Sequence, residues 1–191
     1  QKKRCNLGNI IFITGGARSG KSTFAEKYCR DKGTDLGYIA TAEILDNEMK
    51  DRVDKHRDQR GTSWTTYEKS LQIEKYAGEI LDAHDYVLLD CITMYISNIM
   101  FSRDLDYEAI SMDEVNVVEK EISTSIEDIL KNARGAKGNL VIVSNEIGLG
   151  IVPDNRLSRI YRDYVGRANQ LCASYADEVY LVVSSIPVKI K

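Results

Sequence analysis

Ile10-Ile11-Phe12-Ile13-Thr14-Gly15-Gly16-Ala17-Arg18-Ser19-Gly20-Lys21-Ser22 decides the fold. The apolar run from Ile10 to Ile13, closed by Thr14, has the look of a strand buried on both faces. Gly15 to Ser22 fits G-x-x-x-x-G-K-[ST], and Thr23-Phe24-Ala25-Glu26-Lys27-Tyr28 reads as the first turns of a helix. A phosphate-binding loop needs that order of strand, loop and helix. Gly15, Gly16 and Gly20 let backbone N–H groups close on phosphate oxygens, with Ala17, Arg18 and Ser19 completing the loop. The new helix adds the positive end of its dipole. Lys21 is placed to reach the outer phosphates and Ser22 to hold Mg²⁺, so the expected ligand is a nucleoside triphosphate.

Outward from the loop, strand-like and helix-like segments alternate. Gly37 to Thr41 reads as a short strand, Asp46 to Arg60 as a charged helix, and Trp64 to Glu68 as another strand. Ser70 to Ala83 carries apolar residues at helical spacing, and Tyr86-Val87-Leu88-Leu89-Asp90 is a buried strand ending in an acid. Helices are expected near Met94 to Phe101 and from Met112 to about Arg134, and a strand over Leu140 to Ser144. A helix from Asp154 to Ala176, started by Pro153 and Asp154, precedes a strand at Glu178 to Val183. Alternation of this kind predicts an α/β fold, a mainly parallel sheet flanked by helices. Ligands of such sheets bind at the carboxyl ends of strands, where Thr41, Asp90 and Asn145 fall.

With 191 residues the chain is expected to form one domain over 10–191, with 1–9 as a flexible polar lead-in. A net charge of -3 and a pI near 5.5 give no basic footprint for nucleic acid. No apolar run approaches the ~20 residues of a membrane span. Cys5, Cys29, Cys91 and Cys172 are scattered without metal-ligand spacing, which argues against zinc or a disulfide framework and fits a reducing, cytoplasmic setting.

Asp90 stands where the Mg²⁺-side acid of a phosphate-loop enzyme stands, although one acid after four apolar residues is also what an exposed strand end looks like. His56 sits among Arg52, Arg57 and Arg60, whose like charge favours a neutral, nucleophilic imidazole. Spacing alone reads the same segment as a solvated helix face, with Glu48/Arg52 and Asp51/Lys55 as i,i+4 pairs. His84, at a helix-to-strand junction, is expected to be structural. The loop Asn145 to Pro153, with Gly148 and Gly150, either shapes a pocket over the phosphates or merely connects.

Taken together, Thr14 to Ser22, Tyr38 to Ala42, Asp46 to Met49, Arg52 through His56-Arg57 to Trp64, and Ser144 to Gly148 with Pro153 resemble one family. It is the bifunctional adenosylcobinamide kinase / adenosylcobinamide-phosphate guanylyltransferase. The likeness runs on through Arg162-Asp163, Gly166, Asn169-Gln170 and Ala176-Asp177 to Leu181-Val182-Val183. It implies a P-loop NTPase with a RecA-like core that phosphorylates adenosylcobinamide with ATP or GTP. The same enzyme then transfers GMP from GTP to adenosylcobinamide phosphate, releasing pyrophosphate. It further implies a homotrimer, alongside the cytoplasmic setting and the lack of nucleic-acid and membrane partners that composition already suggests. The segment R-[IV]-x-x-H-R falls on Arg52 to Arg57, so the resemblance makes His56 the residue that carries GMP, and Lys21 of the phosphate loop is the other residue expected to be catalytic. It maps nucleotide contacts onto Gly15 to Ser22, Thr41, Ala42, Glu43, Arg57, Asp58, Gln59, Arg60, Glu68 and Asp90, while the expected metal contacts, Ser22 and Asp90, come from the loop motif and the strand-end acid. Two departures stand out: Gly61 where the family usually has proline, and Ser184-Ser185 where many members have Ala-Gly. A kinase without the transferase step, or a RecA-like ATPase or nucleotide-regulated binding module, uses the same loop and stays open on residue patterns alone.

Overall fold

A computed structural model describes residues 7–43 and 63–191. The helix expected from Asp46 to Arg60, with His56 and its arginines, lies outside those residues, as does the lead-in up to residue 6. At Gly8 the lead-in is already docked: this residue is buried and its N–H donates to the Ala136 carbonyl at 3.0 Å.

The strands are β1 (Ile10–Gly15), β2 (Leu36–Ala40), β3 (Trp64–Glu68), β4 (Tyr86–Asp90), β5 (Asn139–Asn145), β6 (Glu178–Val183) and β7 (Ile186–Lys189). They form one seven-stranded sheet in the order β3-β2-β4-β5-β1-β6-β7. All pairs are parallel except the terminal β6–β7 hairpin. The apolar strands β1, β4 and β5 lie side by side at its centre, and Ile10 to Ile13, Val87 to Leu89 and Leu140 to Val143 are all buried. Burial on both faces explains why these strands read as continuous apolar runs. The register pairs Gly15 with Asn145 and Ala40 with both Glu68 and Asp90. Five strand ends therefore share one edge of the sheet.

Helices α1 (Lys21–Lys32), α2 (Ala77–Ala83), α3 (Ile92–Phe101), α4 (Met112–Gly135) and α5 (Arg156–Tyr175) cover the faces. α4 starts on a capping box between Ser111 and Glu114, and its stripe Val115, Val118, Ile122, Ile126, Ile129 and Leu130 is buried. Each such side chain contributes about 1.5–3 kcal/mol relative to exposure. The α1 side of the sheet has its own apolar cluster, including Ile11, Ile13, Tyr28, Leu36 and Val182.

Three sequence expectations are corrected. The segment Ser70 to Ala83 is not one helix: Gln72 turns left-handed at φ 56, a 3-10 turn spans Ile73–Lys75, and α2 begins only at Ala77. Tertiary bonds hold that turn, because Glu74 accepts from Tyr95 Oη and Ser125 Oγ, both at 2.8 Å, and its carbonyl accepts from Asn132. The long final helix starts at Arg156, capped by Asn155, whose Oδ1 accepts the Ser158 N–H at 2.7 Å. β7 was not foreseen, since all its residues are exposed and show no buried alternation.

Among the described residues no helix is long and apolar enough to cross a membrane. The His84 ring is covered and held structurally, with Nδ1 on Asp35 Oδ1 at 2.5 Å and Nε2 on Tyr67 Oη at 2.9 Å. Beside it, the Asp85 carboxylate accepts from the Thr34 and Asp35 N–H groups and the Thr34 hydroxyl. Those bonds hold its pKa below the ordinary aspartate value, the backbone bonds from Asp35 and Thr34 contributing most. A depressed carboxyl pKa supplies stability that is present above the unfolded-state value and is lost as pH falls through the folded one. Asp85→Ala is expected to melt below the wild type at neutral pH, and the gap is expected to close on acidification. Melting curves across the acid range check this; a gap independent of pH would assign the loss to packing.

Candidate functional site

The loop after β1 is shaped by contacts that only glycine permits. A Cβ on Gly15 would stand 2.5 Å from the Val182 carbonyl oxygen and 2.6 Å from Ser19 Oγ. Gly20 has φ 88, and a Cβ there would meet Ser185 Oγ at 2.6 Å and Ser185 Cα at 3.0 Å. The turn of the β6–β7 hairpin thus lies directly against the loop, and the Ser185 N–H donates to the Ser19 carbonyl at 2.7 Å. Gly16, Ala17 and Arg18 are exposed at the crest, and Arg18 adopts the left-handed conformation at φ 56. Such a crest of exposed loop backbone ahead of a helix N-terminus is what a polyphosphate chain requires.

Lys21 opens α1 and is only 9% exposed, with Nζ donating to the Gly16 carbonyl at 3.1 Å across the loop. Burial draws its pKa below the ordinary lysine value, while negative charge on Cys91 and Asp90 acts in the opposite direction. Burial also pushes the Cys91 thiol up to about 11, so this cysteine stays protonated near neutral pH. The same shift removes Cys91 as a nucleophile. Cys29 and Cys172 are buried with thiols raised to about 12.

Asp90 ends β4, where Tyr38 Oη donates to its Oδ2 at 3.2 Å. Thr41 is fully buried, and its hydroxyl bonds the carbonyls of Asp90 and Cys91 and accepts the Cys91 N–H at 2.8 Å. This hydroxyl splints the end of β4, which leaves the neighbouring Ala42 and Glu43 as the more accessible members of that segment. Glu68 is exposed at the end of β3. The fold thereby brings Gly15 to Ser22, Thr41, Ala42, Glu43, Glu68 and Asp90 to one edge. His56, Arg57, Asp58, Gln59 and Arg60 lie outside the described residues.

A polar network beneath this edge escaped the sequence reading. Thr93 Oγ1 bonds Cys91 Sγ at 3.0 Å and accepts from Asn145 Nδ2 at 3.0 Å, and the Thr93 carbonyl accepts from Tyr161 Oη. Asn169 Nδ2 donates to the Asn145 carbonyl, and its Oδ1 accepts from Ser144 Oγ at 2.6 Å. Asn98 Nδ2 joins the carbonyls of Thr41 and Ser70 at 2.7 and 3.0 Å. Satisfied buried polar groups of this kind fix strand ends relative to one another. Asn169 and Tyr161 occupy a helix where the spacing of apolar residues is the dominant signal, so neither announces a partner.

Among the described residues no group of three or more His, Cys, Asp or Glu could hold a metal ion. A triphosphate-bound Mg²⁺ does not need one: phosphate oxygens and water supply most of its ligands, with a loop hydroxyl and a strand-end acid completing the set. Ser22 in the first turn of α1 and Asp90 at the end of β4 are hard oxygen donors of that type.

Comparison with known proteins bears directly on this arrangement. Residues 11–190 match the family model described as cobinamide kinase / cobinamide phosphate guanyltransferase. The chain is 40% identical over 182 residues to the bifunctional adenosylcobalamin biosynthesis protein CobU of Escherichia coli (strain K12), covering 95% of this chain and 99% of that protein. It is 42% identical over 182 residues to the protein of the same description from Salmonella typhimurium, with the same coverage. It is 33% identical over 179 residues to CobP of Pseudomonas aeruginosa, covering 94% of this chain and 95% of that protein. Among solved structures, an ATPase of a bacterial type III secretion system superposes with a TM-score of 0.53 at 15% identity, over 92% of this chain and 51% of that one. That likeness is one of fold.

Gly20→Ala is expected to cost about 1–3 kcal/mol, because it places a side chain at positive φ and against the Ser185 backbone. Urea unfolding together with tripolyphosphate binding checks it. Unchanged values in both would mean that the hairpin does not constrain the loop.

Proposed function

The chain belongs to the cobinamide kinase / cobinamide phosphate guanyltransferase family, and from that premise we propose that it phosphorylates adenosylcobinamide and then converts the phosphate to a GDP linkage. The observation that carries the reading is the phosphate loop with Lys21 buried beneath it and Asp90 at the end of β4, within a chain whose residues 11–190 match the family model. In the first reaction the substrate hydroxyl oxygen attacks the γ-phosphorus of ATP or GTP, the bond to the β-γ bridging oxygen breaks, the nucleoside diphosphate leaves, and the hydroxyl proton passes to solvent. Lys21 and the loop amides spread the charge of the transferring group. In the second reaction the imidazole of His56 attacks the α-phosphorus of GTP and pyrophosphate leaves. A phosphate oxygen of adenosylcobinamide phosphate then displaces the histidine, which returns to its starting form.

Ser22 and Asp90 would hold Mg²⁺, which when bound supplies positive charge to the phosphate oxygens. The assignment of His56 rests on its match to the family segment, and the cluster of Arg52, Arg57 and Arg60 around it in sequence supports a neutral imidazole. The nucleotide contacts at Ala42, Glu43, Arg57, Asp58, Gln59, Arg60 and Glu68 belong to the same proposal, as do a homotrimeric state and a cytoplasmic setting. Exposed apolar side chains at Leu149, Ile151 and Val152 flank the carboxyl edge and suit a substrate with a broad corrin ring.

Lys21→Ala is expected to slow both half-reactions by about a hundredfold or more, since one cradle serves both. Separate assays of the purified variant check this, and retained guanylyl transfer would sink the shared cradle. His56→Ala is expected to abolish labelling by α-labelled GTP while keeping most kinase activity, and the wild-type adduct should resist alkali and yield to mild acid. An acid-stable adduct, or label on the variant, would move the nucleophile elsewhere. With Asp90→Asn, the Mg²⁺ concentration for half-maximal rate should rise more than the KM for nucleotide; an unchanged Mg²⁺ requirement would leave Asp90 as a strand-end carboxylate only.

A further inference from the structure

Adjoining the phosphate loop, a cavity of about 410 Å³ runs from Gly20 along α1. Gly20, Thr23, Phe24 and Tyr28 form one wall and Ser185 and Pro187 of the hairpin form the other. The volume lies within the range of small-molecule sites, and the walls combine aromatic rings with isolated hydroxyls. Phe24 and Tyr28 are held edge-to-face against Tyr180, with ring centroids 5.2 and 5.9 Å away, so both rings are set before any ligand arrives. Lys27 and Asp31 form an ion pair at the rim.

The direction of the bound triphosphate ties this groove to the loop. Lys21 reaches the outer phosphates of such a chain, and Asp90, at the carboxyl end of β4, is near enough for its charge to act on that amine. β4 lies on one side of β1, while β6 and β7 lie on the other. A chain with its γ end toward Asp90 therefore carries its α-phosphate and nucleoside away from β4, past Gly20 and Thr23, where the groove opens.

We propose that this groove between α1 and the β6–β7 hairpin binds the purine nucleoside of the phosphoryl donor, with the base among Phe24, Tyr28 and Pro187. The hydroxyls of Thr23 and Ser185 both donate and accept, so they serve the edge of either purine. Thr41, Ala42, Glu43 and Glu68 lie on the opposite side of the loop, beyond β4. One cradle is thus flanked by two places for a base. A nucleotide based in the groove presents its γ-phosphorus toward Asp90, and one based on the far side reverses the chain. The identity of the donor rests on the kinase reading above; the groove itself is tested without the corrinoid.

The full wild-type chain is irradiated with Mg²⁺ and 8-azido-ATP, and the labelled peptides are mapped. Label on α1 from Thr23 to Lys32 or on the hairpin from Ser185 to Lys189 is expected, and label confined to residues 41–43 and 63–69 would overturn the proposal. Calorimetric titrations then compare ATP with tripolyphosphate on wild type, Phe24→Ala and Pro187→Trp. Pro187 is exposed on the edge strand, so its replacement fills the groove without touching the core, whatever Phe24→Ala does to folding. The Kd for ATP should rise about tenfold or more while that for tripolyphosphate stays within about twofold. An unchanged Kd for ATP, or a parallel loss for tripolyphosphate, would overturn the groove. If label and affinity behave as expected but no adenosylcobinamide is phosphorylated, the groove stands and the kinase reading falls.

Discussion

The hydrogen bond from the Ser185 N–H to the Ser19 carbonyl joins the last turn of the sheet to the phosphate loop, and the rest of the site depends on that closeness. It brings a hairpin backbone to within 3.0 Å of where a Cβ at Gly20 would stand, so this position must be glycine. Gly15 is constrained in the same way by Val182. Both glycines do more than free the chain for a turn: they let a second layer of backbone lie against the cradle from outside. The loop that receives phosphate is clamped between its own helix and the hairpin, and its amides are oriented before the ligand arrives. Preorganised dipoles of this kind are the most effective stabilisers of transferring charge.

The far side of the loop is held by a different means. There the strand ends of β4 and β5 are linked through Thr41, Thr93, Asn145 and Asn169, each of which satisfies backbone or side-chain partners inside the fold. These bonds fix the ends of β4 and β5, and with them Asp90, relative to one another. Lys21 feels both sides, since burial disfavours its charge and Asp90 restores part of it. A triphosphate arriving at the loop adds negative charge beside the same amine and favours its ammonium form.

Much of this was legible in the sequence, for physical reasons that also mark the limits. Strands buried on both faces have to be apolar throughout, which is why Ile10 to Ile13, Val87 to Leu89 and Leu140 to Val143 are unmistakable and why Asp90 stands out at the end of one of them. Parallel pairing then puts every strand end on one edge, so Gly15, Asp90 and Asn145 meet without further information. β7 carries no such signal: it is exposed along its length, and its turn uses Ser184 and Ser185 at φ 49 and 66 where Asn-Gly is the usual mark. The break at Gln72 is set by partners of Glu74 on α3 and α4, far away in sequence, which no local pattern reports. Thr93 and Asn169 act through hydrogen bonds across the fold, and helical periodicity has nothing to say about them.

Two reactions at one loop pose a geometric problem, because phosphoryl transfer needs the γ-phosphorus at the reactive position and nucleotidyl transfer needs the α-phosphorus there. Moving Lys21 and Asp90, the groups proposed for the chemistry, is costly, since Lys21 is buried with Nζ on the Gly16 carbonyl and Thr41 bonds the end of β4 that carries Asp90. Moving the nucleotide is less so, since a phosphate chain presents similar oxygens along its length and the loop amides recognise oxygens rather than a particular phosphorus. What then distinguishes the two bound states is where the base is lodged. A sheet in which β1 has β5 and β4 on one side and β6 and β7 on the other offers a separate wall in each direction, and the aromatic groove beside Gly20 supplies one of them. The choice between the two chemistries then lies in the contacts of the base, while the charged centre stays in place.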